Sequence, residues 1–102
     1  MDNKEIIKRL GIVRNKSNLS ARELSLRIGM SPQYISQVES GRISLSIEKL
    51  ITILEVCDCP IDKFFYKNFE DYDIDMSLIK EIKSLPSKKK LTLLDFLNNI
   101  IK

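Results

Sequence analysis

Apolar residues recur along the chain at intervals of three and four, and no run alternates as a half-buried strand would. That is the period of helices with one buried face. Over about residues 4–16, Ile6, Leu10 and Val13 share a stripe with Ile7 beside it, predicting a first helix that the run Asn15-Lys16-Ser17-Asn18 breaks. Ser20-Ala21-Arg22-Glu23 has the spacing of a capping box ahead of Leu24 and Ile28, so a second helix starts there. Gly29 closes it after about two turns, because glycine reaches the left-handed conformation at no steric cost. Ser31 as N-cap and Pro32 as first helical residue predict a third helix, running to about Ser40 before Gly41. A fourth starts near Ser46 and aligns Ile47, Leu50, Ile51, Leu54 and Cys57 on one face. Pro60 opens a short fifth helix carrying Ile61, Phe64 and Phe65.

From Tyr66 to Asp75 the residues turn acidic and aromatic, with Glu70, Asp71, Asp73 and Asp75, which predicts a solvated connector. Two more helices follow. One carries Leu78, Ile79, Ile82 and Leu85 and ends before Pro86. The last, capped by Ser87, carries Leu91, Leu93, Leu94, Phe96, Leu97, Ile100 and Ile101. The division this implies is a domain over 1–66 and a linker with two helices over 67–102.

Composition agrees with an all-α chain. Gly and Pro number three each in 102 residues, too few for a loop-rich or collagen-like chain. Net charge is only +3, but between Arg14 and Arg42 five basic residues (Arg14, Lys16, Arg22, Arg27, Arg42) face two acidic ones (Glu23, Glu39). A local basic excess around a turn is the minimum that phosphate contact requires. The opening Met1-Asp2-Asn3-Lys4-Glu5 does not read as a signal peptide, and no run reaches the ~20 apolar residues of a membrane span. Cys57 and Cys59 are too close in sequence for an unstrained disulfide, so a reducing cytoplasm is the expected location.

The third helix carries the candidate chemistry. Gln33, Ser36, Gln37 and Ser40 fall at i, i+3, i+4 and i+7 and form one uncharged polar stripe, with Ile35 and Val38 facing inward and Tyr34 at the edge. A glutamine amide can pair with the N6/N7 edge of adenine, and serine can serve several bases. Charges position a protein on the phosphates, whereas neutral amides can read base edges. A stripe of this kind flanked by Arg22, Arg27 and Arg42 fits that division, although it also describes an ordinary solvated face.

From about Ile6 to Phe65 the chain resembles the five-helix, lambda-repressor-like DNA-binding domain of the Cro/repressor (XRE) helix-turn-helix family. The matching stretches are Leu19 to Leu24, Ile28 to Ser31, Tyr34 to Gly41, Ile47 to Leu54 and the closing Pro60 to Phe65. The resemblance implies a five-helix domain with a two-helix C-terminal extension, binding double-stranded DNA through the third helix. It implies base contacts by Gln33 and Gln37, then by Ser36, Pro32 and Tyr34, with Pro32 restricted to touching a thymine methyl. Backbone contacts would come from Ser20, Ala21 and Arg22 at the start of the second helix, from Ser31 and Ser40, and from Arg42 and Ser44 beyond the third. Ala21 stands where members often carry glutamine, and Ser25 where alanine is usual. Arg14 and Glu39 match a pair that many members hold as an ion pair orienting the recognition helix.

The remaining features point elsewhere less strongly. Two thiols without a histidine make a poor metal site, and Cys57 is expected to pack as a small apolar residue. Lys88-Lys89-Lys90 oppose the dipole at the start of the last helix and offer an extra phosphate contact or simply a soluble helix start. No nucleophile beside a base, phosphate loop or metal set is present, so neither enzyme activity nor a cofactor is expected. The last helix is apolar on more than one face and must be covered. Leu93, Leu94, Leu97, Ile100 and Ile101 suit a homodimer, with packing inside the chain as the competing account. The function expected is a sequence-specific regulator that blocks or recruits polymerase, taken as a repressor although the sequence does not choose between repressor and activator. The rival is an antitoxin or adaptor whose C-terminal helices grip a different protein. Operator, regulated genes and any small-molecule or peptide effector are not legible in the sequence.

Overall fold

The computed structural model describes residues 1–101, the last for its backbone only. It falls into two units, Met1–Tyr66 and Lys67–Lys102. The first holds α1 (Asn3–Lys16), α2 (Ala21–Arg27), α3 (Tyr34–Glu39), α4 (Ile47–Val56) and α5 (Ile61–Phe64). The second holds a 3₁₀ turn (Phe69–Asp71), α6 (Tyr72–Ser84) and α7 (Ser87–Ile101). No strand occurs among the described residues, and the chain is all-α.

Short polar side chains start three helices of the first unit, α1, α2 and α4. The Asp2 carboxylate accepts the Glu5 amide at 2.9 Å, the Ser20 hydroxyl that of Glu23 at 3.0 Å, and the Ser46 hydroxyl that of Lys49 at 3.2 Å. Each satisfies one of the amides that a helix start leaves without a partner. The ends of α1 to α4 share one device: a left-handed residue follows the cap and two reversed hydrogen bonds close the last turn. At α2, Gly29 (φ +76°) donates to Leu26 O and Met30 to Ser25 O. Gly41 (φ +82°) plays the same part after α3, with Arg42 donating to Gln37 O at 2.9 Å. After α1 and α4, Asn18 (φ 57°) and Asp58 (φ 53°) take that place, so the break in the run 15–18 comes from its asparagine at the end.

The core of this unit is built from Leu10, Val13, Leu19, Leu24, Ile28, Tyr34, Ile35, Val38, Leu50, Ile53, Leu54 and Phe64. α3 packs against both α2 and α1, and α4 against α2. The guanidinium of Arg9, only 5% exposed, donates to Phe64 O at 2.8 Å and to Tyr66 O, and pairs with Glu5 at 3.2 Å. The Phe64 carbonyl that ends α5, and that of Tyr66 two residues beyond, take their donor from Arg9 on α1.

Four expectations are corrected. α3 begins at Tyr34, not at Ser31-Pro32: the Ser31 carbonyl accepts the Tyr34 amide at 3.0 Å, closing a turn in which the fixed φ of Pro32 suits the second position. α4 buries Leu50, Ile53 and Leu54, leaving Ile47 and Ile51 exposed. Its apolar residues span too wide an arc for one core, and packing on α2 selects the Ile53 side. The connector ends earlier than its acidity implied, because Asp73 and Asp75 lie in the first turn of α6, where carboxylates favour the positive end of the helix dipole. Ser87 is the first helical residue of α7 and not its cap; the Pro86 carbonyl accepts the Lys90 amide at 3.0 Å. Leu85, held extended (ψ 144°) ahead of that proline, separates α6 from α7.

Candidate nucleic-acid interface

α2 and α3 are two short helices joined by a turn at Gly29, and the sequence folds them that way for local reasons. The capping box is complete: Ser20 Oγ accepts the Glu23 amide, and Glu23 Oε1 accepts the Ser20 amide at 3.1 Å. Hydrogen bonding to the carboxyl from the Ser20 backbone amide first, and then from the Ser20 side chain, holds Glu23 below the usual carboxylate range, with a smaller contribution from Arg27. A carboxyl depressed in the folded state stabilises it above the unfolded pKa, and that stabilisation fades as pH falls through the folded pKa. Glu23→Gln should therefore flatten the acid limb of the melting temperature against pH, below about pH 4.3. Thermal melts of both proteins from pH 7 to pH 2.5 would show it. Parallel acid limbs would count against the box.

The polar stripe lies where a ligand could reach it. Gln33, Ser36 and Ser40 are exposed and Gln37 is half-buried. Gln33 is the residue before α3 and Ser40 the one after it, so the stripe runs the whole length of the helix and one step beyond at each end. The Ser36 hydroxyl donates to Gln33 O at 2.9 Å and the Ser40 hydroxyl to Gln37 O at 3.1 Å. Both serines thus use their proton on the helix and turn lone pairs outward, as acceptors. The side-chain amides of Gln33 and Gln37 make no hydrogen bond among the described residues. Each keeps a donor and an acceptor for a partner.

Arg22, Arg27 and Arg42 are exposed, as are Ser31 and Ser44, while Ala21 and Pro32 are half-buried. Tyr34 departs from its expected place at the edge. It is 7% exposed, part of the core with Ile35 and Val38, because a helix starting at Tyr34 turns its first ring inward. At the start of α2 the Ser20 amide is already committed to Glu23, so the amides left there for an anion are those of Ala21 and Arg22.

Arg14 and Glu39 are brought together from α1 and α3. Arg14 Nε lies 2.8 Å from Glu39 Oε1 and Nη2 3.2 Å from Oε2, a two-pronged pair, and Nη1 also donates to Leu19 O at 2.9 Å. The ion pair joins the last turn of α1 to that of α3, and the Leu19 bond ties in the residue just before the Ser20 cap. Such a fork fixes orientation as well as distance.

A family model described as helix-turn-helix matches residues 10–64, more than half of the chain. The chain belongs to this family, in its Cro/repressor (XRE) form. No curated protein and no solved structure matches it. In this helix-turn-helix chain α2 is the first helix of the motif, α3 the second, and the five-helix unit is the lambda-repressor-like fold. The family is one of DNA-binding domains, so this is a DNA-binding transcriptional regulator in its general character.

Two residues of the five-helix unit have roles that the sequence did not signal. Ser25 stood out only as a small residue replacing alanine, yet its hydroxyl accepts the Ile35 amide at 2.9 Å. Arg9 gave no signal beyond its place next to Leu10 on a helix. Cys57 and Cys59 are free, half-buried thiols. Among the described residues, no group of three or more His, Cys, Asp or Glu is placed to hold a metal ion, and no helix is long and apolar enough to cross a membrane.

Proposed function

We propose that the chain is a sequence-specific reader of double-stranded DNA that represses transcription as a homodimer in the cytoplasm. The observation that carries this is the exposed, uncharged edge of α3 with two unengaged glutamine amides, flanked by Arg22, Arg27 and Arg42. Residues 1–66 bind the duplex and 67–102 join two copies. Gln33 and Gln37 contact base edges in the major groove, with Ser36 accepting from a base amino group and Pro32 against a thymine methyl. Tyr34, being buried, is left out of that set. Ala21 and Arg22 meet a phosphate through the start of α2, and Ser20, Ser31, Ser40, Arg42 and Ser44 line the backbone. Arg14 and Glu39 hold α3 at its angle. A dimer sets two copies of α3 into successive major grooves, ~34 Å apart.

The second unit supports the dimer through what it leaves uncovered. On α7, Leu94, Leu97 and Ile100 are exposed and Leu93 is half-buried; the side chain of Ile101 lies outside the described residues. On α6, Ile74, Leu78, Ile79 and Ile82 are exposed as well. An apolar surface of this extent marks an association site. Leu94→Asp with Leu97→Asp should convert the dimer to monomer in light scattering and weaken duplex binding, since each half-site then binds alone. A wild-type chain that is monomeric at all concentrations would instead favour the antitoxin or adaptor reading, in which a different protein covers these helices. The main test is selection from a random duplex pool with the salt slope measured. A reader returns one enriched, two-fold symmetric motif, and a pool that returns unenriched removes the function proposed.

A further inference from the structure

A short helix must find partners for its first amides, and α3 has no cap of its own. Gln33, the residue before it, makes no side-chain cap bond, and the carbonyl of Ser31 is used by Tyr34. The next amide, that of Ile35, is buried in a residue that is 0% exposed. Its partner comes from the other helix of the motif. Ser25 Oγ, also in a fully buried residue, lies 2.9 Å from Ile35 N and 2.7 Å from Ala21 O. Because the amide can only donate, the hydroxyl oxygen accepts from it and the hydroxyl proton goes on to Ala21 O. The result is a directed relay, Ile35 N–H to Ser25 Oγ–H to Ala21 O, in which each bond polarises the next.

We propose that Ser25 is a positioning residue for DNA reading: its hydroxyl caps α3 from within α2 and fixes the angle between the base-reading helix and the helix start that meets the phosphate. The relay ends on Ala21, the first residue of α2, and begins one residue into α3. It therefore spans from the recognition helix to the start of α2. Beside it the Arg14–Glu39 fork holds the far end of α3, so the helix is fixed at both ends, once by charge and once by a buried hydroxyl. Alanine, usual in the family at this position, fills the same space without offering the acceptor.

The inference rests in part on the DNA-reading proposal, and the experiment separates the two. Amide hydrogen exchange on the free full-length protein compares wild type, Ser25→Ala and Ser25→Cys, the thiol being a weak acceptor of similar size. The Ile35 amide should exchange at least about tenfold faster in Ser25→Ala, relative to the amides of Leu50 and Ile53, with Ser25→Cys between. Fluorescence anisotropy then measures affinity for a selected duplex and for random DNA. Ser25→Ala should lower the ratio of the two about tenfold, whereas Ile53→Val, a core change that only lowers stability, should leave the ratio as it is. An Ile35 amide protected equally in all variants overturns the cap. Faster exchange at Ile35 with an unchanged ratio overturns its part in reading. If wild type prefers no duplex, the reader function fails by itself, and the exchange result still decides whether the cap exists.

Discussion

Gln37→Ala should reduce the preference for a selected duplex over random DNA by roughly 5- to 150-fold, the equivalent of about 1–3 kcal/mol for one paired base contact. The chain should stay folded. The Gln37 side-chain amide makes no hydrogen bond among the described residues, and alanine is the better helix former, so α3 keeps its own bonds. Affinity for random DNA should hardly move, because that binding comes from phosphate contacts. Arg42→Ala is the contrasting case: its exposed guanidinium, just past Gly41, should matter equally on every sequence. Its removal should weaken selected and random duplexes alike and reduce the slope of log affinity against log salt by about 1. Anisotropy titrations of both variants at 50, 100 and 200 mM salt would distinguish the two behaviours. Equal losses on both DNAs for Gln37→Ala would end the claim that α3 reads bases through this amide.

Arg9→Ala should cost the first unit about 2–4 kcal/mol of stability, read as a lower urea midpoint with an unchanged m-value. The carbonyl of Phe64 at the end of α5 and that of Tyr66 just beyond it take hydrogen bonds from this one charged group, and bonds to charged donors contribute about 1.5–3 kcal/mol each. Alanine would leave those carbonyls without that donor, and the Glu5 carboxylate without its partner across one turn of α1. Lysine should restore only part of this, because Nη1 meets both carbonyls while the separate Nε pairs with Glu5, and a single ammonium has no second nitrogen for that pairing. A midpoint within 0.3 M of wild type would show that water replaces the guanidinium at little cost.

The site and the fold were legible in the sequence to different depths. The capping box at Ser20 and Glu23, the stop at Gly29 and the polar spacing of Gln33, Ser36, Gln37 and Ser40 are local signals, and each depends on no more than one or two turns of helix. They were enough to place two short helices around a turn, while the family came from the wider resemblance over about Ile6 to Phe65. Two of the errors fell where two local solutions competed. Ser31-Pro32 suits both an N-cap and a turn, and the turn prevails because Tyr34 donates back to Ser31. Asp73 and Asp75 suit both a solvated linker and a helix start, and the dipole of α6 makes them a start.

By itself, then, the chain's order of residues determined which segments are helical, where most of them begin and end, and which short stretch carries an uncharged polar edge. Hydrogen bonds between residues a few positions apart decide those things, whatever the rest of the chain does. Only the tertiary structure decided which side of α4 is buried, that Tyr34 turns inward, and that Arg9 and Ser25 complete helices other than their own. Those outcomes depend on carbonyls and amides up to 57 residues away, brought within reach by the packed core and by no periodicity in the sequence.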